Sequence, residues 1–139
     1  MPILVTDQGF AEDDWLDAIL EPEAVLAGAG GANIGVALPP TAGPALLRGV
    51  LDVIDLIRVD FPSFADGRGF TIAHRLRLMG YLGRLRACGP LLADQYAMAR
   101  RAGFDEVEIP DDLAARQSEE QWRARANWRA HDYQSRLRA

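Results

Sequence analysis

The sequence contains no lysine: all 15 basic residues are arginine, set against 20 acids in 139 residues. Its single cysteine, Cys88, excludes an internal disulfide framework and fits a reducing cytoplasm. One cysteine also cannot ligate an iron–sulfur cluster by itself. Only two histidines occur, His74 and His131, and neither has a metal-ligand spacing to the other or to Cys88, so no metal is expected. No apolar run approaches the roughly 18–20 residues needed to span a bilayer, so no membrane partner is expected. The start, Met-Pro-Ile-Leu-Val-Thr-Asp, lacks a basic region and a cleavage site, so no secretory signal is expected. There is no phosphate-binding loop ending in Lys-Ser/Thr, no spaced-glycine dinucleotide fingerprint and no Ser-His-Asp order. No flavin, haem or nicotinamide signature is present, so no cofactor is expected.

Hydrophobic residues make up 49% of the chain and charged residues 25%, which excludes wholesale disorder. The length fits a single domain, 1–139. The net charge of −5 is unevenly spread. Residues 1–47 carry seven acids and no base; residues 48–101 carry nine Arg and five acids; residues 102–139 carry eight acids and six Arg. A pI of about 4.9 argues against a nucleic-acid partner. The Arg-rich middle could still hold a small anion, or its guanidinium groups could line solvated faces and pair with Asp and Glu.

The amino-terminal segment, 1–27, reads as a hairpin. A strand over Pro2–Thr6 and a tight turn at Asp7-Gln8-Gly9 lead to a return strand over Phe10–Trp15. Asp13, Asp14 and Trp15 could equally open a helix, and Glu23–Leu26 suits another short strand. Gly28–Gly31 reads as a connecting loop. From 33 to 110 the pattern is a βα core. Strands are predicted at Ile34–Leu38, Leu56–Asp60, Arg84–Cys88 and Asp105–Ile109. Helices are predicted at Thr41–Val53, from Gly67 or Arg68 to Met79, and from Pro90 to Ala102. Such alternation predicts an α/β fold, a small mostly parallel sheet of four strands with three right-handed crossover helices. The segment 111–139 is helix-prone. Ser118 and Gln121 form a capping-box pattern, and Trp122, Ala126 and Tyr133 share a helical face that should dock on its own domain or on a second subunit.

In a parallel sheet, ligands sit beyond the carboxyl ends of the strands. The richest such stretch is Phe61–Thr71, where Arg68 and the free N–H groups of a helix start favour an anion. Asp66 could instead cap that helix and hold Arg68. Asp60, Asp66 and Asp94 could converge or serve separately as turn caps. Cys88, at a strand end beside Arg86, reads either as a small hydrophobe or as an activated thiolate.

One long motif remains. Phe64-x-Asp66-Gly67-Arg68-Gly69-Phe70-Thr71 is followed by Ala73 and Leu76-Arg77, then by Gly80-Tyr81-x-Gly83-x-Leu85-Arg86-Ala87-x-Gly89. Asp94-Gln95 and Arg101-x-Gly103-Phe104-Asp105 complete it. This pattern resembles the bacterial family called domain of unknown function 934, and Asp13-Asp14-Trp15 and Tyr133-Gln134 are similar to further family features. The resemblance implies a place in assimilatory sulfate and sulfite reduction, as an oxidoreductase-associated protein. The expected function is an accessory role assisting sulfite reductase, with a sulfite reductase component as partner. Two alternatives stand beside it: a small enzyme or sensor binding an oxyanion or nucleotide at the Asp66–Thr71 loop, and a homodimeric scaffold joined through the carboxy-terminal helix. The residues expected to bind a ligand or anion are Asp66, Gly67, Arg68, Thr71, Arg77, Arg86, Gly89, Asp94 and Gln95; no catalytic residue is assigned.

Overall fold

A computed structural model describes residues 2–128. His131, Tyr133 and Gln134 lie outside the described residues. The strands are β1 (Ile3–Thr6), β2 (Gly9–Ala11), β3 (Ile19–Leu20), β4 (Gly35–Leu38), β5 (Leu56–Asp60), β6 (Arg84–Cys88) and β7 (Glu106–Ile109). They form one mixed sheet in the order β2-β1-β7-β6-β5-β4-β3. The helices are α1 (Pro22–Leu26), α2 (Arg68–Leu78), α3 (Tyr96–Ala102), α4 (Asp111–Arg116) and α5 (Glu119–Ala124). The fold is α/β, with an amino-terminal hairpin added antiparallel to β7.

Strands β3 to β7 are parallel and stand side by side in chain order. With right-handed crossovers that order sends every connection to one face of the sheet. Val36, Leu38, Ile57, Val59, Leu85, Ala87 and Val107 point to this helical face and are all 0% exposed. The alternate positions, on the open face, carry Arg58, Asp60, Arg84, Arg86, Glu106 and Glu108. Parallel strands covered on both sides read as continuous apolar runs. These alternate because only one face receives helices.

The open face is crossed by residues 12–18. β2 and β3 occupy opposite edges, six inter-strand spacings and roughly 29 Å apart. The eight peptide units from Ala11 to Ile19 reach about 26–29 Å when fully extended. This strap therefore runs nearly straight. Its side chains mark the route: Asp13 meets Arg86 and Asp14 meets Arg84 on β6, then Trp15 lies over Gly35 of β4. A Cβ on Gly35 would stand 3.0 Å from the Trp15 ring, so glycine permits that close approach.

Several local expectations change. The return strand of the hairpin stops at Ala11 instead of reaching Trp15, because the strap must leave for the far edge. Glu23–Leu26 belongs to a helix that Pro22 initiates at its first turn. The helix expected over Thr41–Val53 is two 3-10 turns, Pro44–Leu47 and Leu51–Val53. Gly43, Pro44 and Gly49 interrupt what would otherwise be an apolar stripe. The helix expected from Pro90 begins at Tyr96, after a 3-10 turn at Ala93–Gln95. Gln95 Oε1 accepts from the Leu92 N–H at 2.9 Å and holds that turn. The parallel part has five strands rather than four, since β3 joins it.

α5 opens as the Ser118–Gln121 spacing predicts, with Gln121 Oε1 accepting from the Ser118 N–H at 3.0 Å. Its Trp122 is 1% exposed and meets Tyr96 edge-on at 6.3 Å. Burying such a ring contributes roughly 4–6 kcal/mol of transfer free energy before side-chain entropy is counted. The exposed Arg125–Asp94 pair contributes less than about 1 kcal/mol. Trp122, packed against its own chain, holds α5 down together with Glu119, whose Oε2 accepts from the Phe10 N–H at 2.9 Å.

Candidate functional site

The carboxyl edge of the parallel strands is organised by Phe61, the residue after β5. Its N–H donates to the Cys88 carbonyl at 2.7 Å. Its ring packs on Phe70 and Phe104, at centroid distances of 4.9 and 5.9 Å. Two glycines admit it. A Cβ on Gly69 would fall 2.4 Å from the Phe61 ring, and one on Gly89 only 2.1 Å from its carbonyl oxygen. Gly89 also sits at φ +151°, in the region that only glycine enters readily.

Beyond that anchor the loop turns outward. Ser63 Oγ accepts from the Ala65 N–H, and the Asp66 N–H donates to the Ser63 carbonyl. Asp66 accepts from the Arg68 N–H, from Nε and from Nη2, the last at 2.6 Å. That guanidinium holds the Asp66 carboxyl below its usual range, and Asp66 in turn raises Arg68. Gln95 Nε2 donates to the Phe64 carbonyl at 2.7 Å and fastens this loop to the connection after β6. Phe64 is left 53% exposed. It borders a depression of about 340 Å³ that Pro90, Leu92, Leu113, Arg116 and Gln117 complete.

Seven of the nine residues expected to bind lie at this edge: Asp66, Gly67, Arg68, Thr71, Gly89, Asp94 and Gln95. Asp94 pairs with Arg125 at 2.6 Å, and Thr71 is exposed on the first turn of α2. The other two lie elsewhere. Arg77 is a clamp at the amino edge, donating to the carbonyls of Gly103, Tyr81 and Gly83 and to Asp105, all within 3.0 Å. Arg86 is on the open face, 0% exposed, bonded to Glu106 at 2.6 Å and to Glu108 at 2.9 Å, with Asp13 at 3.2 Å. Asp60, Asp66 and Asp94 do not converge; each has its own arginine, Arg58, Arg68 and Arg125.

The open face carries what sequence reasoning missed. Arg84 and Arg86 interlock with Glu106 and Glu108 of the neighbouring strand and with Asp13 and Asp14 of the strap. The available signal was the complementary alternation Arg84-x-Arg86 against Glu106-x-Glu108. Beside this network Cys88 Sγ donates to Glu108 Oε2 at 3.3 Å. Burial, and then the Glu108 carboxylate, push the Cys88 thiol up to about 12. Cys88 is thus held as a thiol and not as a thiolate. Burial likewise raises the Asp60 carboxyl against the opposing pull of Arg58, with Glu108 adding like-charge repulsion. Among the described residues no group of three His, Cys, Asp or Glu side chains is arranged to hold a metal ion.

The sequence profile described as bacterial protein of unknown function (DUF934) matches residues 35–139. The chain belongs to the DUF934 family. No curated protein matches it. The matched span begins at β4 and includes the carboxyl-edge loop, the Arg77 clamp and Arg86, and leaves out the hairpin and the strap. In this DUF934 protein the half-exposed Phe64, the Arg68–Asp66 pair and the Gln95 staple form the candidate site. No described helix is long and apolar enough to cross a membrane.

Proposed function

We propose that this DUF934 protein is a cytoplasmic accessory protein of assimilatory sulfate and sulfite reduction. It assists sulfite reductase by binding one of its components through the carboxyl edge of the sheet. The pathway rests on the family resemblance; the mode of action rests on one observation. Phe64 stands half exposed over a depression lined largely by Pro90, Leu92 and Leu113, with Arg116 and Arg68 exposed nearby. An exposed aromatic beside arginine is the composition of a protein-binding centre. The ionisable groups around it are occupied with one another, and Cys88 is protonated, which favours contact over bond-making.

The test is a deletion strain grown on sulfate, sulfite or sulfide as the sole sulfur source. Rescue by sulfide alone is expected, and growth on all three refutes the reading. Affinity capture from sulfate-grown cells should recover a sulfite-reduction component with the wild-type protein and lose it with Phe64→Asp. An oxyanion or nucleotide at the Asp66–Thr71 loop is the competing reading. There the ligand must displace Asp66 from Arg68. That reading predicts that sulfite, sulfate or an adenylyl sulfate raises the melting temperature and that Arg68→Ala abolishes the rise. The accessory reading predicts no rise.

A further inference from the structure

The opposite end of the strands, the amino edge, carries a second surface that the proposed function does not use. Leu82 is 95% exposed, Leu78 73% and Val53 50%. Leu82 stands on the lip of a depression of about 540 Å³ floored by Leu51, Ile54, Met79 and Tyr81. Arg48 and Asp52 line the same depression, yet they make no ion pair with each other. Neither has a charged partner among the described residues. A knob and a hole therefore lie side by side, with one cation and one carboxylate beside them.

We propose that this face binds a second copy of the chain about a two-fold axis, each Leu82 entering the depression of the other copy. The charges select that occupant. A partner surface of one sign would satisfy Arg48 and repel Asp52, or the reverse. A surface bearing the same two charges in inverted order satisfies both, and a two-fold mate presents just that, forming two equivalent Arg48–Asp52 pairs. Apolar exposure of this degree on adjacent turns is also what an interface core requires. The association is independent of the carboxyl-edge function, because the two surfaces are at opposite ends of β5 and β6.

Solution mass of the full chain tests this, by light scattering and sedimentation at about 100 μM, where a micromolar dimer is populated. The expected mass is twice the 15.2 kDa of one chain. Leu82→Glu should return the single-chain mass, and the side chain's exposure ensures that the core is untouched. Arg48→Asp should weaken association by about tenfold or more, and Arg48→Asp with Asp52→Arg should restore it. Leu16→Glu is the control: Leu16 is 92% exposed but sits on the strap across the open face, so the dimer should persist. A wild-type chain of single mass overturns the proposal and assigns the face to a different partner. A dimer that survives Leu82→Glu, or one that fails to recover in the charge-swapped pair, overturns it as well.

Discussion

Arg86→Met isolates the energetics of the open face. Arg86 is wholly buried and bonded to two carboxylates that are themselves nearly buried, Glu106 at 5% and Glu108 at 8% exposure. Methionine fills a similar volume without the charge, so the cavity contribution is small. The two glutamates respond differently. Glu106 keeps Arg84, whose Nε and Nη2 lie 2.7 and 2.8 Å away. Glu108 keeps only the Cys88 thiol at 3.3 Å. One buried carboxylate is therefore orphaned. Breaking a buried pair in this way costs about 3–5 kcal/mol, and the surviving Glu106–Arg84 pair places the expected loss near 3 kcal/mol. With a urea m-value near 2 kcal/mol per molar, the unfolding midpoint should fall by about 1.5 M, followed by tryptophan fluorescence and circular dichroism together.

The second substitution makes the reasoning refutable. In the wild-type background Glu108→Gln should destabilise, by about 1 kcal/mol, because it weakens the bond to Arg86. In the Arg86→Met background it should stabilise by a similar amount, because it removes the orphaned charge. The sign reverses only if Arg86 and Glu108 compensate one another inside the protein. A loss below about 1 kcal/mol for Arg86→Met, or the same sign for Glu108→Gln in both backgrounds, refutes the account.

Three further outcomes follow from the same structure. Gly89→Ala forces a Cβ to 2.1 Å from the Phe61 carbonyl at φ +151°, so it should cost at least 2 kcal/mol or prevent folding, read by thermal melting, while Gly67→Ala, open on all sides, should cost under about 1 kcal/mol. Cys88, with its thiol pushed up to about 12, should react with iodoacetamide at pH 8 far more slowly than in urea-unfolded chain; equal rates would refute the suppression of its thiolate. Asp14 is held below its ordinary value, first by its hydrogen bond with Arg84, so its contribution is complete above about pH 3.9 and is lost as pH falls through the lower folded value. Asp14→Asn should therefore flatten the fall in urea midpoint between pH 4 and 2, and an unchanged slope would count against the strap's ionic attachment.

Much of the helical face was legible because its signals are local. Leu56–Asp60, Arg84–Cys88 and the helix ending near Met79 fall where their apolar spacing puts them, and Gly80 and Gly103 stop their helices at positive φ. The 3-10 turns at Pro44–Leu47 and Leu51–Val53 were not legible, since an apolar stripe at helical spacing does not report how two glycines and a proline weaken a short helix. The candidate site divides on the same principle. Asp66 and Arg68 are two residues apart, and their pairing follows from a tight turn. Arg77 and Arg86 stand in the same motif, yet one clamps carbonyls at the amino edge and the other is buried under the strap. Only strand order separates them. That order depends on contacts 20 or more residues apart, such as Arg86 with Glu106 and with Asp13.

The charge blocks of the sequence acquire their meaning from that order. The acidic first 47 residues and the Arg-rich middle supply the two sides of ion pairs that the fold brings together on both faces of the sheet. Asp7 meets Arg100, Asp13 meets Arg86 and Asp14 meets Arg84. The positive excess of the middle is thus largely consumed at home: Arg58 by Asp60, Arg68 by Asp66, and Arg77 by three carbonyls and Asp105. An anion competing for these guanidinium groups would have to displace carboxylates already at hydrogen-bond distance. Removing the hairpin and strap would leave Arg86 with its two glutamates alone and uncover the network to water. The strap is therefore a structural counterion as much as a connection, and the arginines without a partner among the described residues, Arg48 among them, are where contact with other molecules should be sought.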